Sequence, residues 1–373
     1  MEIGIGIIGW GFMGRTHAYA AQNLPLFYPG VIKPVLRAVA SRRIESAREA
    51  QRDCGFEHIT DDWRELIARD DIQAVSVCTP NAMHEEITIA ALRAGKHVYL
   101  DKPLAVTGDA AHRIADAAKG AHGISQVAFN ARFFPCALRA KQLVEAGRLG
   151  KIVSFRITYL HSGSVDTNKP VNWKSDAAEG GVLLDIGSHA LDMLLHLGGE
   201  IEEVFCRKTA LAAQRPKLGG GMITDVGDDA ASMLVKLRGG ETGTVEASKI
   251  STGAMDELRV ELCGERGALR FDMMDPNWLW FYDNTVPAGP LGGERGWKRI
   301  ETVAAYPSPA GSFLPPKNAL GWARSHVACY HNFIHAIETG IRPEPSFGHG
   351  ALVQDVLDAC ALSDKERRWV SIS

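Results

Sequence analysis

Short, wholly apolar runs alternate with segments of helical composition over the first third of the chain, and no other feature constrains the fold as strongly. Strands without polar alternation are buried on both faces, and the helices between them provide the cover. The pattern predicts a doubly wound parallel α/β sheet over residues 1–128. The predicted strands are Ile3–Ile8, Val35–Ala40, Ala74–Cys78, His97–Leu100 and Ile124–Phe129.

A different pattern begins at residue 129. Strand-like runs follow one another with short glycine-containing turns, which is typical of antiparallel pairing. Residues 129–373 are therefore predicted to form an α+β domain with a large, mostly antiparallel open sheet. A helix is predicted at about Val182 to Leu197, and the Pro- and Gly-rich segment 285–320 is predicted to be a long loop.

Composition excludes several classes of partner. The chain of 373 residues has 41 basic and 44 acidic side chains and a formal net charge of −3. Such a charge provides no basic surface for nucleic acid or an anionic membrane, and no apolar run approaches the ~20 residues of a membrane span. The seven cysteines are scattered without a CxxC pair, so no metal site and no disulfide framework is expected. Free thiols favour the cytoplasm as the location.

A glycine-rich turn connects the first predicted strand to the first helix. Its sequence is Gly9-Trp10-Gly11-Phe12-Met13-Gly14, a GxGxxG pattern in the position that a dinucleotide-binding Rossmann fold requires. The first glycine makes the tight turn, the second lets the backbone approach a pyrophosphate, and the third lets helix and strand pack closely. The helix N-terminus then offers N–H groups to the phosphates. We predict that this turn binds NAD or NADP.

The end of the second predicted strand bears on the choice between these two cofactors. A carboxylate at this point holds the ribose hydroxyls of NAD in typical dehydrogenases, but this chain has Ser41, Arg42 and Arg43. A hydroxyl and two guanidinium groups suit a 2′-phosphate. The alternative is that both arginines only decorate the exposed start of a helix. The sequence therefore favours NADP slightly.

Two further motifs carry candidate chemistry. Asp101-Lys102-Pro103 follows a predicted strand at the carboxyl edge of the sheet, where open α/β sheets bind ligands. Asp185 and His189 are four residues apart on the predicted helix, and Asp192 and His196 continue the same polar stripe. Unpartnered burial costs ~1–3 kcal/mol per polar group, so the stripe must meet water, a ligand or buried partners. A satisfied His–Asp network in the core is the alternative interpretation.

In their order along the chain, these motifs resemble the glucose–fructose oxidoreductase, inositol dehydrogenase and rhizopine-catabolism (Gfo/Idh/MocA) family. The glycine turn, the Asp-Lys-Pro strand end and a GGxxxDxGxHxxD helix that starts at Gly180 carry the resemblance. Cys78-Thr79-Pro80-Asn81 with His84 resembles the family's segment over the nicotinamide ribose, and Asn130-Ala131-Arg132-Phe133 resembles the entry to its second domain. Two departures are Asp101 where Glu is usual and the missing acid after the second strand.

The resemblance implies a Rossmann domain followed by a substrate-binding and oligomerisation domain. It implies that Lys102, Asp185 and His189 converge beside the nicotinamide as the catalytic set. His189 would accept the hydroxyl proton, Lys102 would stabilise alkoxide character and Asp185 would orient the hydroxyl or the imidazole. The candidate cofactor residues are Gly9, Gly11, Phe12, Met13, Gly14, Ser41, Arg42, Arg43, Thr79, Pro80, Asn81, His84, Asp101 and Lys102.

The loop before this helix supplies candidate substrate contacts. In the resemblance it lines the sugar pocket, where Trp173 stacks on a sugar ring. Its lysines, with Arg132 and Arg156, would pair with an acidic group on the substrate, although solvated loop charges are an equal alternative. Asp225, Asp228 and Asp229 are predicted to form a turn before a strand. The candidate substrate-binding residues are Arg132, Lys169, Trp173, Lys174, Asp185 and His189.

The leading hypothesis is an NAD(P)-dependent dehydrogenase that transfers a hydride from a secondary alcohol carbon of a sugar or polyol, including an anionic sugar. The alternative is a redox-neutral glycoside hydrolase that oxidises a sugar transiently, eliminates the aglycone and restores the hydride. That alternative requires a second base, for which Tyr159 and His161 are candidates. An apolar sheet face that needs a cover predicts a homodimer or homotetramer.

Overall fold

A computed structural model describes residues 1–303 and 318–372. It divides into two compact units. The first unit contains Met1–Phe133 and Trp322–Gln354, and the second contains residues 134–303, 318–321 and 355–372. Each unit has its own sheet and its own buried apolar side chains.

The strands and helices are numbered along the chain. The strands are β1 (Glu2–Ile8), β2 (Lys33–Ala40), β3 (His58–Thr60), β4 (Ala74–Val77), β5 (His97–Leu100), β6 (Ser125–Val127), β7 (Ile152–Leu160), β8 (Ile201–Thr209), β9 (Arg215–Pro216), β10 (Met222–Ile223), β11 (Ala230–Leu237), β12 (Thr242–Ser248), β13 (Glu257–Gly264), β14 (Gly267–Asp272), β15 (Trp278–Asp283), β16 (Trp297–Glu301) and β17 (Val370–Ser371). The helices are α1 (Phe12–Phe27), α2 (Ile44–Cys54), α3 (Trp63–Ile67), α4 (His84–Arg93), α5 (Gly108–Lys119), α6 (Pro135–Glu145), α7 (Ser188–Leu197), α8 (Trp322–Thr339) and α9 (Phe347–Glu366).

The first unit contains a six-stranded parallel sheet in the order β3-β2-β1-β4-β5-β6. Its central strands are buried on both faces, as the fully buried Ile5, Ile7 and Val77 show, and this explains their continuous apolar sequence. The strand order reverses between β1 and β4, which places the ligand crevice outside the carboxyl ends of these strands. The predicted doubly wound sheet is confirmed. The sequence missed β3, because this three-residue edge strand is polar and half-exposed.

The second unit contains a nine-stranded sheet in the order β16-β15-β14-β13-β7-β12-β11-β8-β17, and a two-stranded ribbon of β9 and β10. Neighbours in the large sheet pair antiparallel, except that β12 and β7 run parallel. Burial alternates along β11, where Ala231, Met233 and Val235 are buried and Leu234 is exposed. One face therefore belongs to the core and the other faces outward. The prediction of an α+β unit with a mostly antiparallel open sheet is also confirmed.

Two local predictions need correction. Within the predicted loop 285–320, Trp297–Glu301 forms strand β16 and pairs with β15 at the sheet edge. It was missed because an exposed edge strand rich in charge lacks the alternation that marks a half-buried strand; residues 304–317 of that loop lie outside the described residues. The predicted helix over 182–197 begins with a π-helical turn at Leu183–Gly187, so Asp185 and His189 are not spaced by regular α-helical turns.

No helix within residues 1–303 and 318–372 combines the length and the apolar character needed to cross a membrane.

Candidate active site

The glycine turn of the first unit has three different steric environments. Gly9 has a φ of +99°, and a Cβ atom there would lie 2.5 Å from the carbonyl oxygen of Cys78. A Cβ atom on Gly14 would overlap the carbonyl oxygen of Gly9, whereas the corresponding position on Gly11 has no atom within 4 Å. Gly9 and Gly14 are therefore needed for packing of the turn, and Gly11 leaves open space above the backbone. This is the cradle that a pyrophosphate fills in dinucleotide-binding turns.

The N-terminus of α1 is suited to an anion. Gly11 is its N-cap without a side-chain hydrogen bond, and no acidic residue occurs in the first turn, so the N–H groups and the positive end of the helix dipole are directed at the open space. Met13 is half-exposed, and the 71% exposed ring of Phe12 stacks on Trp322 of α8 with centroids 5.5 Å apart. Trp322 was not among the predicted site residues, because 310 residues separate it from Phe12 in the sequence. A nicotinamide dinucleotide fits the glycine cradle and this helix N-terminus.

Ser41, Arg42 and Arg43 follow β2 as predicted. The backbone N–H of Ser41 donates to the carbonyl oxygen of Thr60 at 3.0 Å, and Arg43 is the N-cap of α2. Both arginines are exposed, and among residues 1–303 and 318–372 neither forms an ion pair with a carboxylate. Their charge is thus available to a ligand at the end of β2.

The loops that follow β4 and β5 are joined by His84. This fully buried ring places one nitrogen 3.2 Å from the carbonyl oxygen of Thr79 and the other 3.0 Å from that of Pro103. Burial lowers the pKa of His84, with Asp101 and the backbone carbonyls opposing this, and a neutral imidazole has a single N–H to donate. Only one of the two contacts can then be an N–H···O hydrogen bond, and the ring packs between the two loops. Pro80 and Asn81 lie in the same segment, and Asn81 is buried.

Lys102 follows β5 at the carboxyl edge of the sheet. Its backbone N–H donates to Oδ1 of Asp101 at 3.0 Å, and its bond to Pro103 is cis. At the end of the neighbouring strand β4, Sγ of Cys78 lies 3.1 Å from Nδ1 of His17. Burial lowers the pKa of His17 to about 4 against the opposing charge of Asp101, and burial raises the pKa of the Cys78 thiol. The pair is therefore neutral at physiological pH, and Cys78 is not a thiolate nucleophile.

Arg132 has a different environment from the one predicted for a substrate contact. Its side chain is buried within the first unit, and a guanidinium nitrogen contacts Nε2 of His349 on α9. Arg156 of the second unit donates to Oε1 of Glu261 at 2.9 Å on the neighbouring strand β13. Each of these cations has a protein partner, which weakens the earlier expectation that they collect an acidic substrate group.

In the second unit, Gly180 and Gly181 begin the segment that contains Asp185. Gly181 has a φ of +96° and its N–H donates to the carbonyl oxygen of Lys174 at 2.8 Å. Asp228 then accepts the backbone N–H of Val182 at its carbonyl and that of Leu183 at Oδ2, both at 2.8 Å. The predicted turn at 225–229 thus caps the π-helical turn. π-Helical turns occur frequently at functional sites.

Two lysines bind the carboxylate of Asp185. Lys174 of the preceding loop donates to Oδ1 at 3.0 Å, and Lys249, directly after β12, donates to Oδ2 at 2.5 Å. The Asp185 side chain is 14% exposed. Lys174 was among the predicted site residues, whereas Lys249, which lies 64 residues from Asp185, was not. The sequence feature that could have indicated Lys249 is a lysine at the end of a half-buried strand.

His189 lies on the first turn of α7 and is 8% exposed. The edge of the Tyr159 ring faces its imidazole with centroids 5.9 Å apart, and the Tyr159 hydroxyl donates to Oδ1 of Asp256 at 2.7 Å. Burial, together with Asp256 and Asp185, raises the pKa of Tyr159 well above its usual range. Nδ1 of His161 accepts the backbone N–H of Gly163. Both candidates for the second base of the glycosidase alternative thus have protein partners, Tyr159 in a carboxylate and His161 in the backbone of its own loop.

The loop before the π-helical turn carries the remaining predicted contacts. Trp173 is half-exposed, with the ammonium group of Lys174 at 5.8 Å from its ring, and Lys169 is exposed. The loop is held from below by Arg215, which is fully buried and donates to the carbonyl oxygen of Ser164 and to the carboxylate of Asp229. No sequence pattern indicated this buried ion pair.

Comparisons with known proteins agree with both units. Residues 3–129 match the model of an oxidoreductase family's NAD-binding Rossmann fold, and residues 141–372 match that of the same family's C-terminal alpha/beta domain. The chain is 34% identical to levoglucosan dehydrogenase of Pseudarthrobacter phenanthrenivorans over 100% of its own length and 98% of that protein. It is 30% identical to myo-inositol 2-dehydrogenase of Thermotoga maritima, covering 72% of this chain and 75% of that one.

Solved structures agree as well. A levoglucosan dehydrogenase in complex with NADH and L-sorbose superposes with a TM-score of 0.95 at 34% identity, covering 100% of this chain and 99% of that chain. An oxidoreductase domain protein from Kribbella flavida superposes with a TM-score of 0.94 at 37% identity over the whole of both chains. Both domain models, the full-length relative and the motifs in their order lead to one conclusion: the chain belongs to the Gfo/Idh/MocA family of NAD(P)-binding oxidoreductases.

Proposed function

We propose that this protein is an NAD(P)-dependent dehydrogenase that oxidises a secondary hydroxyl group of a sugar or polyol. The observation that carries the proposal is the full-length similarity to levoglucosan dehydrogenase, because it covers the cofactor unit and the substrate unit together. Other relatives are named inositol dehydrogenases, and inositol is a polyol, so the proposed substrate class is wider than one sugar. We also propose that residues 1–128 bind the dinucleotide and that residues 129–373 bind the substrate.

The proposed chemistry uses three side chains. Nicotinamide, when bound, supplies the acceptor for the hydride of the carbinol carbon. His189 accepts the hydroxyl proton, since its ordinary pKa lies near neutrality. Lys102 stabilises negative charge that develops on the substrate oxygen, and Asp185 orients the hydroxyl or the imidazole.

We propose a neutral substrate rather than an anionic sugar. Arg132 and Arg156 have partners in the protein, and the ammonium group of Lys174 binds Asp185. Levoglucosan, L-sorbose and inositol, which appear in the names of the relatives and their complexes, are uncharged. Trp173 is proposed to stack on the sugar ring, and Lys169 and Lys174 to donate to hydroxyl groups.

Binding of NAD(H) follows from membership of the family. The choice between NAD and NADP in this chain is a proposal. We propose that NADP is accepted, because Arg42 and Arg43 are exposed at the end of β2 and no acid occurs there. Relatives from Bacillus subtilis include scyllo-inositol 2-dehydrogenases named for NAD⁺ and for NADP⁺. The variant Arg42→Ser/Arg43→Ser should lower the preference for NADP⁺ over NAD⁺ about tenfold, since each charge-assisted bond to the phosphate is lost.

We further propose a homodimer or homotetramer in the cytoplasm. The outward face of the second unit's sheet carries Trp280 with Arg270 and Arg299 stacked near its ring, and aromatic residues and arginine are enriched at protein interfaces. All seven cysteines are free thiols, as expected in a reducing compartment.

The test uses purified protein with NAD⁺ or NADP⁺ and a panel of neutral sugars, sugar acids, polyols and aryl glycosides. Reduced cofactor and released aglycone are followed in the same cuvette. Reduced cofactor that accumulates with a neutral sugar or polyol supports the proposal. Aglycone release without accumulation of reduced cofactor would instead establish the redox-neutral glycosidase, which the dehydrogenase names of the relatives do not favour.

A further inference from the structure

Lys249 has a rigid backbone environment. Its N–H donates to the carbonyl oxygen of Asp229 at 2.8 Å, and its carbonyl accepts the N–H of Ser164 at 2.9 Å. Asp229 is itself fixed, because the buried Arg215 binds its carboxylate. The backbone of Lys249 is thus held on both sides by residues that belong to the packed interior of the second unit.

The two lysines on Asp185 differ in exposure. The Lys249 side chain is 18% exposed and extends from the end of β12, whereas the Lys174 side chain is 38% exposed and extends from a loop that also carries the half-exposed Trp173. The two partners of Asp185 therefore differ in burial and in the element that carries them.

We infer that Lys249 is a positioning residue for the proposed reaction: it holds Asp185 ionised and oriented from the sheet side, and Lys174 is the partner that meets the substrate. This inference rests on the proposed function. A carboxylate between two ammonium groups stays deprotonated to lower pH and loses rotational freedom. It then accepts a hydrogen bond in one direction, which is what orienting a hydroxyl group or an imidazole requires. Lys249 acts only through Asp185 and takes no part in the proton transfer.

The experiment compares the wild-type enzyme with Lys249→Met, Lys249→Arg, Lys174→Met and Asp185→Asn on a neutral sugar or polyol that the wild type oxidises. Lys249→Met should lower kcat ~100-fold with KM changed less than ~3-fold, and Lys249→Arg should restore most of the loss. Lys174→Met should instead raise KM ~10-fold with a smaller effect on kcat. Lys236→Met is the matched control, since Lys236 pairs with Glu202 and Glu203 on the surface of the same sheet.

The split between kcat and KM, the rescue by Lys249→Arg and a double variant separate positioning from simple stability. The double variant Lys249→Met/Asp185→Asn should be no slower than Asp185→Asn alone, as expected when one residue acts through the other.

The failures are distinguishable. A wild type that oxidises no sugar or polyol overturns the proposed function and, with it, the inference. An active wild type with additive losses in the double variant overturns the role of Lys249 alone. If Lys249→Met does not fold, Lys249→Gln takes its place against Lys249→Arg, and equal rates for these two variants would refute the inference.

Discussion

The two candidate binding regions of this protein are built in opposite ways. The glycine turn of the first unit is one stretch of six residues, in which contacts within the turn or at the adjacent strand end require Gly9 and Gly14, and Gly11 leaves open space. The Asp185 cluster of the second unit contains lysines that lie 11 and 64 residues away and is supported by a buried ion pair between Arg215 and Asp229.

This difference shows how much of each site a short motif contains. A turn that cradles a phosphate works through backbone N–H groups, so a local pattern of small residues describes it almost completely. A carboxylate that must stay charged in a half-buried position requires cations nearby. Here these cations belong to residues that are distant in the sequence and that the fold brings together.

Lys102→Ala tests whether the first unit contributes to the chemistry as well as to cofactor binding. We expect turnover to fall by up to ~10⁴-fold, about 5 kcal/mol of transition-state stabilisation, because a cation near the developing alkoxide is lost. Affinity for NADH should stay within a few-fold, as measured by the quenching of protein fluorescence. Lys119→Ala, which removes a surface ion pair with Asp116, is the control, and a normal rate in Lys102→Ala would remove lysine from the mechanism.

Arg215→Met tests whether the second region depends on distant partners. Removing one member of a buried ion pair leaves the other charge uncompensated, so we expect a loss of about 4 kcal/mol in the free energy of unfolding. Arg207→Met should change it little, because Arg207 pairs with Asp364 at the surface. Urea denaturation followed by circular dichroism gives both values. Equal midpoints for the two variants would contradict the structural role assigned to Arg215.

Acid should weaken the first unit through His17. Burial lowers the pKa of His17 from 6.5 to about 4, so the unfolded chain binds more protons than the folded one between these values. Its contribution, about 3 kcal/mol, is complete above pH 6.5 and is lost as the pH falls toward 4. His17→Leu should flatten this part of the curve of unfolding free energy against pH, whereas replacement of the exposed His122 by Gln should leave the slope unchanged.

Two glycine variants separate folding from binding within the turn. Gly14→Ala should lose about 2 kcal/mol of stability, because its Cβ would overlap the Gly9 carbonyl. Gly11→Ala has free space for its Cβ and an extended φ of −96°. It should melt within about 2 °C of the wild type and bind NADH about tenfold more weakly. Calorimetry measures the effect on stability and NADH titration the effect on binding. If Gly11→Ala binds NADH as tightly as the wild type, the pyrophosphate does not bind against Gly11.

The sequence predicted the fold well for a physical reason that applies to both units. The strand His97–Leu100 was placed with the bounds that the structure has, and the change of pattern at residue 129 predicted the mostly antiparallel sheet, because burial on both faces or on one face leaves a distinct apolar pattern. Trp297–Glu301 was missed because an edge strand buries little and leaves no pattern. The π-helical turn was missed because backbone hydrogen bonds of that kind depend on what caps them, here Asp228.

The doubly wound sheet, the glycine cradle and the candidates Lys102, Asp185 and His189 could be predicted from the sequence, since each belongs to a contiguous motif. The groups that surround these residues are known from the folded chain. The fold placed Lys249 on Asp185, gave Arg132 a partner in His349, tied the Tyr159 hydroxyl to Asp256 and packed His84 between two loops. Charge pairing and burial depend on distances between residues far apart in the chain, and no local pattern of residues encodes those distances.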